Sequence, residues 1–137
     1  MADITITAAS VLPGDNAQVE HGYFGAAVTA GQVVYKDSAD GTFKLADANS
    51  GTAGVRVPYG VALNGGASGQ PAAIQRSGKI TIGGTVVVGK TYVLSATPGG
   101  IAPIDDLATG HYVSTLGIGI SVTQIAVQIQ SSGVAVP

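Results

Sequence analysis

Val28-Thr29-Ala30-Gly31-Gln32-Val33-Val34-Tyr35 reappears further along the chain as Val86-Val87-Val88-Gly89-Lys90-Thr91-Tyr92-Val93. Tyr59-Gly60-Val61-Ala62-Leu63 returns as Leu116-Gly117-Ile118-Gly119-Ile120, and Ile74-Gln75-Arg76-Ser77-Gly78 as Ile129-Gln130-Ser131-Ser132-Gly133. The offsets, 89 − 31 = 58, 117 − 60 = 57 and 133 − 78 = 55, keep the order and shorten only the connections. A valine-rich unit present twice, too short in each copy to enclose a core, predicts that the two copies fold together. The expected fold is all-β: a single compact antiparallel barrel or sandwich built from two internal repeats with pseudo-two-fold symmetry, plus an N-terminal arm. Residues 1–24 form that arm and residues 25–137 the barrel domain, with repeat one at 25–82 and repeat two at 83–133.

Working outward, Asp37-Ser38-Ala39-Asp40-Gly41 reads as a hairpin turn between strands at 32–36 and 42–45. A strand at 56–63 ends at Asn64-Gly65-Gly66, a strong reversal signal because Asn-Gly suits both positive-φ positions of a tight turn. Pro71 opens the next strand, where its missing N–H is tolerated, and Ser77-Gly78 closes it before 79–82. In the second copy, Pro98-Gly99-Gly100 is the turn, residues 104–108 are read as one short helical turn, and 112–120 and 125–130 are the long strands. Ile125, Val127 and Ile129 face one way and Ala126, Gln128 and Gln130 the other, as a half-solvated antiparallel strand requires. Ile4-Thr5-Ile6-Thr7 also alternates, ahead of the Pro13-Gly14 break. The arm is therefore either a frayed or edge strand of this barrel or a segment that adds to a neighbour's sheet.

Composition narrows the function. The chain is 45% hydrophobic but only 5% aromatic and 10% charged, so its core rests on Val, Ile, Leu and Ala. Its basic residues, Lys36, Lys44, Arg56, Arg76, Lys79 and Lys90, are scattered in a chain of net charge −2, which argues against nucleic-acid binding. There is no cysteine, hence no disulfide or thiolate metal site. The start, Met1-Ala2-Asp3-Ile4-Thr5, has no basic or long apolar stretch, so no signal peptide is expected. Residues 112–137 carry no charge, yet Thr, Ser, Gln and Gly interrupt them too often for a membrane span.

One motif has the letters of an enzyme. Residues 84–91, Gly-Thr-Val-Val-Val-Gly-Lys-Thr, fit the phosphate-loop pattern, whose chemistry needs backbone amides at a helix N-terminus. Three valines, and a strand and Pro-Gly-Gly turn where the helix belongs, argue against it. Gln32 also stands where the other copy has Lys90. Asp105-Asp106 and the Asp37, Asp40, Asp47 group read as turn residues, without a second shell or the spacing of a calcium loop. His21 and His111 are too isolated for a zinc site. No cofactor, metal site or catalytic residue is expected, and the protein is not expected to be an enzyme.

The run 28–35, together with Lys44-Leu45-Ala46-Asp47-Ala48, Tyr59-Gly60-Val61-Ala62-Leu63-Asn64, Gly69-Gln70-Pro71-Ala72 and Tyr92-Val93-Leu94-Ser95-Ala96-Thr97-Pro98-Gly99-Gly100-Ile101, resembles the capsid cement, or head decoration, proteins of tailed bacteriophages. The resemblance covers about residues 24–133. It implies a non-enzymatic protein on the outer surface of the virion capsid, bound to the major capsid protein and oligomeric, with a trimer favoured over a dimer. Under that reading Ile4, Ile6, Val11 and Leu12 would anchor the arm to the shell or to a sister subunit. The alternative is a receptor- or glycan-binding module of a virion fibre or tail, which would stack sugars on aromatics drawn from Tyr23, Phe24, Tyr35, Phe43, Tyr59, Tyr92 and Tyr112.

Overall fold

The computed structural model describes residues 3–137; Met1 and Ala2, at the head of the expected arm, lie outside the described residues. Ten strands follow one another: β1 (Val11–Pro13), β2 (Gln18–Tyr23), β3 (Val33–Lys36), β4 (Phe43–Leu45), β5 (Gly60–Ala62), β6 (Pro71–Ile82), β7 (Thr91–Leu94), β8 (Ile101–Pro103), β9 (Tyr112–Gly119) and β10 (Gln124–Ala135). All pair antiparallel in one curled sheet that forms a half-barrel. The only helical pieces among the described residues are 3-10 turns at Ala8–Ser10, Ala53–Arg56 and Ile104–Asp106, the last where one was expected.

β6 organises the sheet. Gln75 is paired with Val19 of β2 on one side and Val61 of β5 on the other. Ser77 has Gln18 of β2 and Gln128 of β10, while Thr81 has Leu12 of β1 and Gln124 of β10. β2 and β1 therefore succeed one another along one edge of β6, and β5 and β10 share the other. Two wings leave from that shared edge, one continuing through β5, β3 and β4, the other through β10, β9, β7 and β8. Their far ends are sewn together by Ala46 and Ala48. The Gly99 amide donates to the Ala46 carbonyl (2.7 Å), the Ala48 amide to Ser95 O (3.0 Å), and the Tyr112 amide to Ala48 O (2.9 Å).

The strand order, read inward from either end, pairs in the same sequence: β4-β3-β5-β6 and β8-β7-β9-β10. The correspondence stops at pairing order. A two-fold between β6 and β10 would carry the Ser77–Gln128 pair onto Ser132 and Ala73 (77 + 55, 128 − 55), but Ala73 lies between His21 and Leu63. The wings also differ in size, because β5 has three residues where β9 has eight.

Three local expectations need correction. Ser77-Gly78 does not end a strand: β6 runs on from Pro71 to Ile82, and β10 likewise passes through Ser132-Gly133. Gly78, at φ +92°, lies two residues past Arg76, the extra residue left on β6 by the register shift between Gln18 and Val19, so the strand is distorted there without ending. The expected strand at 56–63 shrinks to β5, since residues 53–56 coil into a 3-10 turn. The reversal after β5 is made at residues 67–70, where Gly69 has φ +88° and the Gln70 amide donates to Ala67 O. Asn64 instead ties the loop down by its side chain, with Nδ2 donating to Pro71 O and Oδ1 accepting from the Ala73 amide.

Two cores result. One lies between the wings and holds Val33, Val61, Ile80, Ile82, Leu94, Ile101, Leu116, Ile125 and Val127. The other holds Phe24, Val28, Val34, Phe43, Ala62, Ala72 and Ile74. Neighbours Val33 and Val34, and Val61 and Ala62, point into opposite cores, so β3 and β5 are buried on both faces. Phe24 closes the second core through a parallel bridge to Phe43.

A Cβ at Gly78 would collide with the Asn16 carbonyl, whereas one at Gly41 (φ +73°) meets nothing within 4 Å. Gly41→Ala is expected to lose only the left-handed strain of about 1–2 kcal/mol. Gly78→Ala should lose clearly more, because the backbone of Asn16 and Ala17, just before β2, must also move off β6; urea denaturation of both variants compares them directly.

Candidate functional site

The structure places the four expected anchor residues unequally. Val11 is buried in the core between the wings, and Ile4 and Ile6 pack against the same core. The Ile4 amide donates to Ile101 O (2.9 Å) and the Thr7 amide to Gly83 O (2.8 Å), so residues 3–7 are extended chain laid on β8 and on the loop after β6. The Ser95 hydroxyl donates its one proton to the Asp3 carboxylate, lying 2.9 and 2.8 Å from its two oxygens. Val11–Pro13 and Gln18–Tyr23 are edge strands of this chain's own sheet. Of the four, Leu12 alone presents its side chain to solvent, at 58% exposure.

Leu12 is not isolated. It lies in register with Thr81 and Gln124, and the Ile120 amide donates to Gln124 O. The loop leading into β7 is bonded to the end of β9, the Gly89 amide to Gly119 O (2.7 Å) and the Val86 amide to Val122 O (2.9 Å). Val86 turns inward, which leaves Val87 and Val88 outside beside Ile118, Ile120 and Val122. Six exposed large apolar residues thus gather at one end of the half-barrel. They continue onto the outer face of β7, β9 and β10, where Thr91, Thr115, Ile118, Ala126, Gln128 and Gln130 line a shallow hollow with no charged side chain. Scattered apolar residues are ordinary on a soluble protein; a grouped set beside an uncharged face marks a contact surface.

A second cluster lies where β2, β6 and the approach to β5 converge. The Tyr59 hydroxyl donates to Glu20 Oε1 (2.7 Å), and Lys36 Nζ donates to Glu20 Oε2 (3.1 Å). The Arg76 guanidinium lies over the Tyr59 ring at 3.6 Å, while its Nε donates to the Tyr59 carbonyl (3.2 Å). The Tyr59 hydroxyl bond, with help from Lys36, holds the Glu20 carboxyl below the usual range against the opposing effect of burial. The same bond, with burial, raises the Tyr59 phenol. A similar stack puts Arg56 3.6 Å over the ring of Tyr112.

The residues with enzyme-like lettering are placed differently. Gly89 leads into β7 rather than a helix, and Lys90 is ion-paired to Asp105. Asp37 and Asp40 shape the β3–β4 hairpin: Asp37 accepts from the Ala39 amide and from Lys44 (2.7 Å), and Asp40 from the Thr42 amide and hydroxyl. These bonds lower both carboxyls, Lys44 acting first on Asp37 and the Thr42 hydroxyl on Asp40; Asp37 raises Lys44 in turn. Among the described residues no group of three or more His, Cys, Asp or Glu is placed to hold a metal.

No known family model matches this chain, and no curated protein sequence matches it. Sequence reading missed the Glu20–Tyr59–Arg76 cluster, whose members are separated by 39 and 17 residues and share no motif. The only hint was the rarity of charge in this chain, which makes any grouping of charges informative.

Glu20, with its lowered carboxyl, contributes stability that is present above its unfolded pKa and lost as pH falls through the folded value. Tyr59, with its raised phenol, contributes stability that is present below its unfolded pKa and lost as pH rises through the folded value. Tyr59→Phe is expected to return the Glu20 carboxyl toward the ordinary range in an NMR titration and to flatten both flanks of the stability–pH profile.

Proposed function

We propose that this protein is a structural adhesion module, a capsid decoration (cement) protein that docks on the outer surface of a phage head. Its partner would be the major capsid protein and its working form a homo-oligomer, a trimer ahead of a dimer. The observation that carries the reading is the apolar end formed by Leu12, Val87, Val88, Ile118, Ile120 and Val122, with the uncharged face beside it. The likeness of the repeated turn-and-strand motifs to cement proteins supplies the capsid.

The physics of the role is compatible with such a surface. Many identical copies on a lattice reinforce one another, so each contact needs only modest affinity. Uncharged faces bring neighbouring copies together without like-charge repulsion. The curled sheet supplies stiffness, since β3, β5 and β6 are tied into both cores.

The glycan-binding alternative is left with few platforms. One face each of Tyr59 and Tyr112 is covered by a guanidinium, and Tyr92 is buried. Tyr23, 60% exposed, is the aromatic most open to a sugar.

Because Ile4, Ile6 and Val11 serve this chain's own core, removal of the arm would test folding as well as docking. Surface substitutions separate the two. Leu12→Asp combined with Val122→Asp should leave thermal unfolding nearly unchanged and abolish occupancy on purified capsids, scored by electron microscopy. Full occupancy by this variant would remove the apolar end from the account, and a glycan-array signal without capsid association would favour the fibre module.

A further inference from the structure

The shared edge of β6 creates a groove that neither core fills. β10 is paired with β6 only as far as Gln128–Ser77, because β5 occupies the same edge from Gln75 onward. Beyond Gln128, β10 remains bonded to β9 on its other side, through Gln130–Thr115 and Ser131–Ser114. Its β6-side edge diverges from the sheet, and Gln130, Ser131, Ser132 and Gly133 are exposed. Between this edge and residues 57–59 lies an open cleft of about 730 Å³, with Arg76 and Ser77 on its floor and Gln18 to Glu20 beyond. A smaller hollow of about 170 Å³ continues it past Val57 and Ser131 to Arg56 and Tyr112.

Charge is distributed unevenly in this groove. Two guanidiniums lie along it, each 3.6 Å over the centre of a tyrosine ring, Arg76 over Tyr59 and Arg56 over Tyr112. Glu20, bonded by Tyr59 and Lys36, forms a longer ion pair with Arg76 at 3.9 Å, which leaves the Arg76 guanidinium without a close bidentate carboxylate. Arg56 donates to the Ser50 carbonyl at 3.4 Å. In a protein of net charge −2, two preoriented cations therefore flank an unpaired strand edge. Stacking fixes the guanidinium plane, so less freedom is lost when it clasps a carboxylate in a bidentate pair.

We propose that this groove binds an extended, acidic segment of a partner protein, which adds as a strand to the free edge of β10 and places carboxylates on Arg76 and Arg56. Backbone pairing supplies the length of the contact, and the two cations supply its sign and register. The apolar wall, Val19, Val57, Pro58 and Ile129, receives the alternate side chains of such a strand. The groove is separate from the apolar end used for docking above, and the inference stands whether or not that docking partner is a capsid.

The test uses the full-length protein and an eight-residue peptide alternating valine and glutamate, with valine–lysine and proline-interrupted versions and free glutamate beside it. Binding of the glutamate peptide should shift the amide NMR signals of residues 129–133 and the side-chain signals of Arg76 and Arg56, and weaken with added salt. Arg76→Gln, on an exposed side chain, should weaken it about tenfold, as loss of one charge-assisted pair requires, with the amide spectrum otherwise preserved. Free glutamate shifting the Arg76 signal but not residues 129–133 would reduce the site to a simple carboxylate contact and overturn strand addition. Equal binding of the lysine or proline-interrupted peptide, or shifts confined to the Leu12–Val122 end, would overturn the proposal outright.

Discussion

A single strand bonded along both edges constrains the rest of this molecule. β6 carries β2 and β1 on one side and β5 and β10 on the other, so four of the nine strand ladders among the described residues run along it and both wings start from it. β5 and β10 take successive stretches of that edge and then lead into different wings, and Gly78, at φ +92°, lies just past the handover between them. The curl of the sheet, the interior core and the groove at the divergence of β10 are consequences of that shared edge.

Burial then sorts the side chains. The first wing is covered on both faces, with Phe24 and Phe43 filling the second core, while the second wing leaves a shallow uncharged hollow on the outer face of β7, β9 and β10, although Val93 and Ala102 are buried. With so few charges available, the protein places many of them in pairs: Lys44 with Asp37 and Asp40, Lys36 and Arg76 with Glu20, and Lys90 with Asp105. Exposed pairs of this kind add little stability.

The anchor residues show how apolar periodicity is ambiguous about its partner. Ile4, Ile6 and Val11 read as a strand looking for a sheet, and the sheet they reach is their own. Leu12 shares the same stretch of sequence yet faces outward, because antiparallel pairing alternates the two sides of β1. Likewise Val86, Val87 and Val88 are chemically equal, but the bond from Val86 to Val122 turns one inward and leaves two exposed.

By itself the sequence determined the all-β class, the hairpin at Asp37–Gly41 and the inward set Ile125, Val127 and Ile129. Each of these rests on local chemistry: glycine and aspartate in turns, and period-two burial. Tertiary structure alone decided that Ser77-Gly78 bends a strand instead of ending it, since a glycine at positive φ serves a turn or a kink equally and only the strand opposite chooses. It also decided the candidate sites. The apolar end and the Glu20–Tyr59–Arg76 cluster join residues far apart in the chain, and long-range strand register, which no local pattern encodes, brings them together.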